Sequence, residues 1–282
     1  MKSLLKFILI LSFSFGSLIA FSQEFKTPLK VVKGQEYNYQ TDMVMDITMT
    51  MGAQEMKMSS SSSAVSKNKI EALLADGGVE VSMAAYDAVV SSKMMMIDTV
   101  MRFDGKVSPT YKLQLNKYGR LVSKTKTDTT GINLPGAKAF PDNALVSSGL
   151  FCEFPEKNLK IGEKWNVEHS DSVDNAGMGG KLGFLVKTEY PLGAKEVLEG
   201  KDVQKINYTS TLDLEGKGKM QGMDFFIEGS GVQNGDMFID PTTKVIVQNK
   251  MVMELDMTVA VSGQQSMTMP MTQKITLTQK LK

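Results

Sequence analysis

The chain has 282 residues, 42% hydrophobic and 22% charged, with 32 basic against 31 acidic side chains and a net charge of +1. That composition suits a folded protein, and a balance with lysines scattered along the chain argues against a nucleic-acid partner, which needs a concentrated basic surplus. One cysteine, Cys152, excludes an intramolecular disulfide, so stability must come from burial, and Cys152 is expected to be a small buried apolar residue.

The first 22 residues have the layout of a cleavable signal peptide. Lys2 and Lys6 form a basic start, an apolar run extends from Phe7 to Ala20, and Ala20-Phe21-Ser22 places small residues where a signal peptidase cuts. The run is short for a membrane span, and no later segment is apolar enough for one. Cleavage after Ser22 predicts an exported chain, periplasmic or secreted, that starts at Gln23 and lacks a transmembrane segment.

Strand patterns dominate the rest of the chain. Met43, Met45, Ile47, Met49 and Met51 alternate with mostly polar residues, which predicts a half-buried antiparallel strand. A turn at Gly52 to Glu55 leads to a return strand through Met56 and Met58. The serine run from Ser59 to Ser63 is expected to continue it as an edge strand. Further strands are predicted over 79–90, 94–103, 110–115, 120–127, 182–188, 203–214, 223–227, 237–239 and 274–281. Helix is plausible only over 143–151, with Asp142 as cap. Near the end, Met251, Met253, Leu255, Met257, Val259 and Val261 form an apolar face, residues 262–265 a turn, and Met267, Met269 and Met271 a return.

Three pairs of segments match in the same order. Gly34 and Gly162 each precede an aromatic-Asn pair (162 − 34 = 128), residues 79–86 match 203–210 in apolar pattern, and 115–122 match 239–246, the last two at 203 − 79 = 239 − 115 = 124. This suggests a duplicated unit. The expected fold class is all-β: two related, mainly antiparallel units, as a half-barrel or sandwich with little helix, over residues 23–150 and 151–282.

Catalytic equipment is scarce. The one histidine, His169, falls in a polar segment and is expected to be a solvated turn residue. Zinc sites built from Cys and His are excluded by one of each. Neither a phosphate-cradling loop nor a dinucleotide fingerprint is present, and Gly229-Ser230-Gly231 has the wrong spacing and is expected in a turn. No cofactor is implied. Two facing carboxylates could still hydrolyse a glycoside, but the expectation is a protein that is not an enzyme.

Methionine stands out, with 22 in the chain. Its unbranched thioether fills irregular apolar space, so Met43, Met45, Met49, Met51, Met251, Met253, Met257, Met267 and Met269 are candidates to line a cavity for an apolar small molecule or lipid, or a contact with another envelope component. A softer alternative is Cu(I), held by Met43, Met45, Met267 and Met269 with support from Met49, Met51 and Met271. The bland alternative is plain core. Asp98-Thr99-Val100, Asp128-Thr129-Thr130 and Asp171-Ser172-Val173 resemble the short acceptor of Bacteroidota O-glycosylation, making Thr99, Thr129 and Ser172 candidate sites.

The leader ending at Phe21-Ser22-Gln23, together with Phe154-Pro155-Glu156-Lys157-Asn158-Leu159-Lys160-Ile161-Gly162-Glu163-Lys164-Trp165, resembles an exported family of Bacteroidota proteins built on a domain of unknown function. The resemblance implies export and brings no catalytic residues with it. In style, the inferred sheet is similar to the half-barrels of lipoprotein carriers, which hold acyl chains against an apolar face.

Overall fold

The structure, a computed structural model, describes residues 24–94, 97–128, 149–175, 180–220, 223–262 and 266–282. Twelve strands account for most of them: β1 (Glu36–Met51), β2 (Gln54–Leu73), β3 (Val79–Met94), β4 (Ile97–Lys106), β5 (Tyr111–Leu115), β6 (Leu121–Lys126), β7 (Lys164–Asn175), β8 (Gly180–Leu198), β9 (Lys201–Met220), β10 (Met223–Ile239), β11 (Ile246–Ser262) and β12 (Met267–Leu281). All lie in one antiparallel sheet, ordered β6-β5-β3-β2-β1-β12-β11-β10-β9-β8-β7, with β4 beside β3. The sheet is open and not closed into a barrel. Two meanders, β1–β6 and β7–β12, meet at a seam where β1 pairs with β12 from Tyr39↔Leu281 to Met49↔Met271.

Period-two alternation gives this sheet two unlike faces. On one, Tyr37, Tyr39, Met43, Met45, Ile47 and Met49 share β1 and meet Leu281, Leu277, Ile275 and Met271 of β12, with serines of β2 opposite Tyr39, Met43 and Met45, while the other carries Asp42, Asp46 and Lys274. At one end, the base, the apolar face is covered. The extended segment 24–31 and residues 149–160 run across it, tied down by an isolated Phe25↔Leu159 bridge and by Leu29 N–H donating to the Lys117 carbonyl at 2.8 Å. Under them lie two buried clusters. One gathers Leu29, Tyr37, Tyr39, Ile70, Val79, Val81, Tyr111, Leu113, Leu115, Leu150, Phe151 and Val245. The other holds Phe25, Cys152, Phe154, Leu159, Trp165, Val167, Leu192, Ile206, Tyr208, Met237, Ile239 and Ile246. Each borrows across the seam: Val245 belongs to the β10–β11 turn yet packs with the first meander, and Phe25 precedes β1 yet packs with the second.

Corresponding backbone geometry recurs in the two meanders. Gly34 (φ 84°) and Gly162 (φ 85°) each donate their N–H at 2.7 Å, to the carbonyls of Ile70 and Leu192, and those residues donate back to Gln35 and Glu163 at 2.9 Å. The turns at 116–120 and 240–245 each begin with a side-chain oxygen, of Asn116 or Asp240, accepting two backbone N–H groups, and each contains a left-handed residue, Gly119 or Lys244.

Several expectations are corrected. Residues Ser59–Ser63 lie inside the sheet and not at an edge, since β2 pairs with β1 on one side and β3 on the other; Ser59 Oγ donates to Asp46 Oδ1 at 2.7 Å, while Ser60 and Ser62 stand opposite Met45 and Met43. Gly229-Ser230-Gly231 is mid-strand in β10, where the glycines admit large side chains from β11. His169 is a strand residue of β7. Strands expected separately over 223–227 and 237–239 are one continuous β10. The leader, Thr129 and residues 143–148 of the expected helix lie outside the described residues, and 149–151 are not helical.

Tyr39, fully buried, donates its hydroxyl to the Ile246 carbonyl of β11 at 2.6 Å, a bond that spans the seam. Tyr39→Phe leaves that carbonyl unsatisfied in a buried site and is expected to lower stability by about 1–2 kcal/mol, measured by urea denaturation.

Candidate functional site

Beyond the base, the apolar face continues toward the hairpin tips, and no described segment lies over it. Strand register turns the methionine pattern into rows. One unbroken row runs Met56–Met49–Met271–Met257–Gly229–Leu214–Phe184 across seven strands, each residue the direct partner of the next. The next row toward the base is Met58–Ile47–Gln273–Leu255–Gly231–Leu212–Val186, and the next row toward the tip includes Met269–Val259–Ile227–Gly216–Leu182. Most of these side chains are half-buried, while Met51 and Met267 at the tips are 36% and 41% exposed.

A belt of polar groups separates this patch from the second buried cluster. In the row Met45–Ile275–Met253–Gln233–Ser210–Thr188, the buried Thr188 and Ser210 hydroxyls hydrogen-bond each other at 2.8 Å, and Gln273 Nε2 donates to Met45 Sδ at 2.7 Å. Closer to the base, Tyr208 Oη donates to Asn249 Oδ1 at 3.1 Å. The tip patch is therefore a second apolar surface and not the rim of the core.

Glycines shape it. Each of five faces a large side chain directly across the ladder: Gly216 and Leu182, Gly218 and Phe225, Gly229 and Met257, Gly231 and Leu255, Gly235 and Tyr208. A Cβ added at Gly229 would stand 2.6 Å from Met257 Cγ and 2.8 Å from the Asp256 carbonyl oxygen; one at Gly218 would stand 2.6 Å from Phe225 Cζ. Each large side chain lies flat over its glycine, the arrangement by which a sheet tolerates glycine and bends. A groove of about 850 Å³ crosses β8–β12 along Phe184, Leu214, Gly229, Met257 and Met271 and their sequence neighbours. That volume is in the range that takes a drug-sized or lipid-sized ligand.

Among the nine methionines expected to line a ligand site, Met257 lines this groove, joined by Met271. Met43, Met45, Met49, Met253 and Met269 share its face, brought together by the β1–β12 seam. Met251 packs against the second core cluster. The groove also takes in Asp213, Glu215, Glu228 and Asp256; Glu215 and Glu228 are cross-strand partners and both exposed. Phe184 and Leu214 stand in strands that sequence patterning predicts, but their convergence with methionines 40 and more residues away depends on register, which no single strand carries.

A polar cluster that sequence reasoning missed sits at the edge of the base. Glu153 accepts from Arg120 Nε at 2.5 Å and lies 3.2 Å from His169 Nε2, tying the first meander's β5–β6 turn to β7 through the segment that joins them; its own backbone carbonyl accepts from Trp165 Nε1 at 2.9 Å. Burial pushes the Glu153 carboxyl up, but the hydrogen bonds from His169 and Arg120 outweigh it and hold the group below its ordinary value. The same hydrogen bond to Glu153 raises His169. Thr99 on β4 and Ser172 on β7 are exposed, and both strands are edges with a partner on one side only.

No family model matches the sequence, and no curated protein matches it. Among solved structures, the crystal structure of Pseudomonas aeruginosa OccK11 (OpdR) aligns over 92% of this chain and 100% of that chain, at 6% sequence identity and a TM-score of 0.20. A likeness at that level does not define a shared fold. No helix of the described residues is long and apolar enough to cross a membrane.

Two outcomes are expected. Gly229→Val forces Met257 off its glycine and is expected to lower stability by about 1–3 kcal/mol, read from the urea midpoint. For the Glu153 cluster, the raised His169 contributes fully below its unfolded value of 6.5 and loses its contribution as pH rises through the folded value. The lowered Glu153 contributes above its ordinary 4.5 and loses its contribution as pH falls through the folded value. The stability deficit of His169→Gln is therefore expected to be greatest between those two values and to shrink toward alkaline pH, measured by denaturation across a pH series. His169 is half-exposed, so solvent screening keeps the deficit small.

Proposed function

We propose that this chain is an exported envelope protein without enzymatic activity that holds an apolar small molecule or lipid against the uncovered half of its sheet. The observation that carries the reading is the continuous apolar patch beyond the polar belt, grooved at Gly229 and lying under no described segment. A sheet with one apolar face ordinarily buries that face against a second layer, and large patches left bare on a soluble protein mark binding surfaces. Methionine suits a ligand of variable shape, because three rotatable bonds let it follow a flexible chain. The leader-like first 22 residues support export, and the recurring turn geometry supports descent of the two meanders from one duplicated unit.

Glycosylation fits the same setting. Thr99 and Ser172 stand exposed on edge strands, where bulk and polarity would discourage strand addition from another molecule. Intact-mass measurement of protein from its native host is expected to show glycan increments that Thr99→Ala and Ser172→Ala remove; bare polypeptide mass overturns the modification.

For ligand binding, native mass spectrometry of the purified protein is expected to show extra mass of lipid size. Titration with cis-parinaric acid should saturate and weaken by roughly tenfold in Leu214→Glu, which sets a charge in the groove. Absence of both extra mass and saturable fluorescence would sink the reading.

A further inference from the structure

We propose that the row Met56–Met49–Met271–Met257 is a soft-metal site that takes a monovalent d10 ion, Cu(I). This goes beyond the apolar-ligand reading and does not depend on it. The four methionines stand on four adjacent strands, β2, β1, β12 and β11, as successive direct partners, so that their Cα atoms follow one line across the sheet. Directly opposed residues of antiparallel strands lie about 4.5–5.5 Å apart at Cα, and a methionine side chain is long and free enough about its bonds for neighbouring sulfurs to close on one ion. Thioether sulfur is a soft ligand that selects Cu(I) over Zn(II) or the hard divalent cations.

Three observations separate this row from ordinary core. None of the four methionines belongs to either buried cluster; all are half-buried and within reach of solvent. Further sulfurs flank the row on the same face, Met58 and Met45 toward the base and Met51, Met267 and Met269 toward the tips, so an arriving ion meets thioethers on either side. The charged groups nearest the row, Asp46, Glu55, Lys57, Glu254, Asp256 and Lys274, alternate onto the opposite face, so that the row itself presents thioethers while Asp256 reaches only the edge of the groove. The notable difference from the sequence expectation is the choice of sulfurs. Register assembles Met56, Met49, Met271 and Met257, whereas Met43 stands opposite Ser62 and Leu277 and Met45 opposite Ser60 and Ile275.

The test is competition for Cu(I) held by bicinchoninate under ascorbate, paired with Ag(I) titration followed by methionine-methyl NMR. The purified protein is expected to withdraw about one equivalent of Cu(I) while leaving Zn(II) unbound. Ag(I) is expected to shift the methyl signals of Met49, Met56, Met257 and Met271 and to leave those of Met83 and Met237, which pack in or against the buried clusters, in place. Met49→Leu with Met271→Leu keeps side-chain volume and should cost roughly tenfold or more in Cu(I) affinity. Failure to withdraw Cu(I), affinity unchanged in that double variant, or Ag(I) shifts that spare the row would each overturn the site. The NMR readout on the unaltered protein stands even if the double variant misfolds.

Discussion

A single open sheet with one apolar face has to find cover for that face, and everything else in this structure depends on how far the cover reaches. Ordinary β domains meet the requirement with a second sheet or a layer of helices. Here the segments 24–31 and 149–160 do it over the base alone, laid across the strands as straps, bonded to each other between Phe25 and Leu159 and pinned by backbone bonds to Lys117, Tyr118 and Ile246. The aromatic chain Phe25–Phe154–Trp165–Tyr190–Tyr208, with successive ring centroids 5.2–5.8 Å apart, is the packing those straps make possible on the second meander. Farther along the same strands the straps end, and flattened side chains over glycine are what remains.

The two regions also differ in how they treat polar atoms. At the base, Tyr39 pairs with Ile246, Gln279 with the Gly149 carbonyl and Tyr208 with Asn249, while Tyr37 Oη and Asn68 Oδ1 are buried without a partner among the described residues. Each bond restricts which strand can lie beside which, so register is set where hydrogen bonds are most costly to lose. The tip rows inherit that register without adding comparable constraints of their own. Their alignment of sulfurs is thus a consequence of polar pairing some distance away.

Strict alternation made β1 and β12 legible from sequence, because a strand with one wet face and one apolar face announces itself at period two. The sequence puts both methionine hairpins at one cavity, but their union by direct strand pairing at the seam is not readable in it, since nothing in either segment names its partner strand. Gly229-Ser230-Gly231 looked like a turn for a related reason. Glycine marks both a reversal and a close approach, and only the neighbour, Met257 or Leu255, tells the two apart. His169 misled because β7 is a polar edge strand, lacking the apolar alternation that strand detection relies on. Arg120, Glu153 and His169 meet from three separate stretches, so their cluster left no local trace.

Strand order carries a consequence for how the sheet comes together. Residues 271–281 pair with residues 39–49, so the pairing that unites the molecule joins stretches more than 200 residues apart. Each meander can zip up from neighbouring hairpins, a sequence of short and fast loop closures. Their union waits for β12, and until it docks, one long flank of β1 and one of β11 stand open with their amides unpaired. A nascent chain therefore passes through a stage of two half-sheets with sticky inner margins, and whatever escorts it must keep those margins apart from other chains.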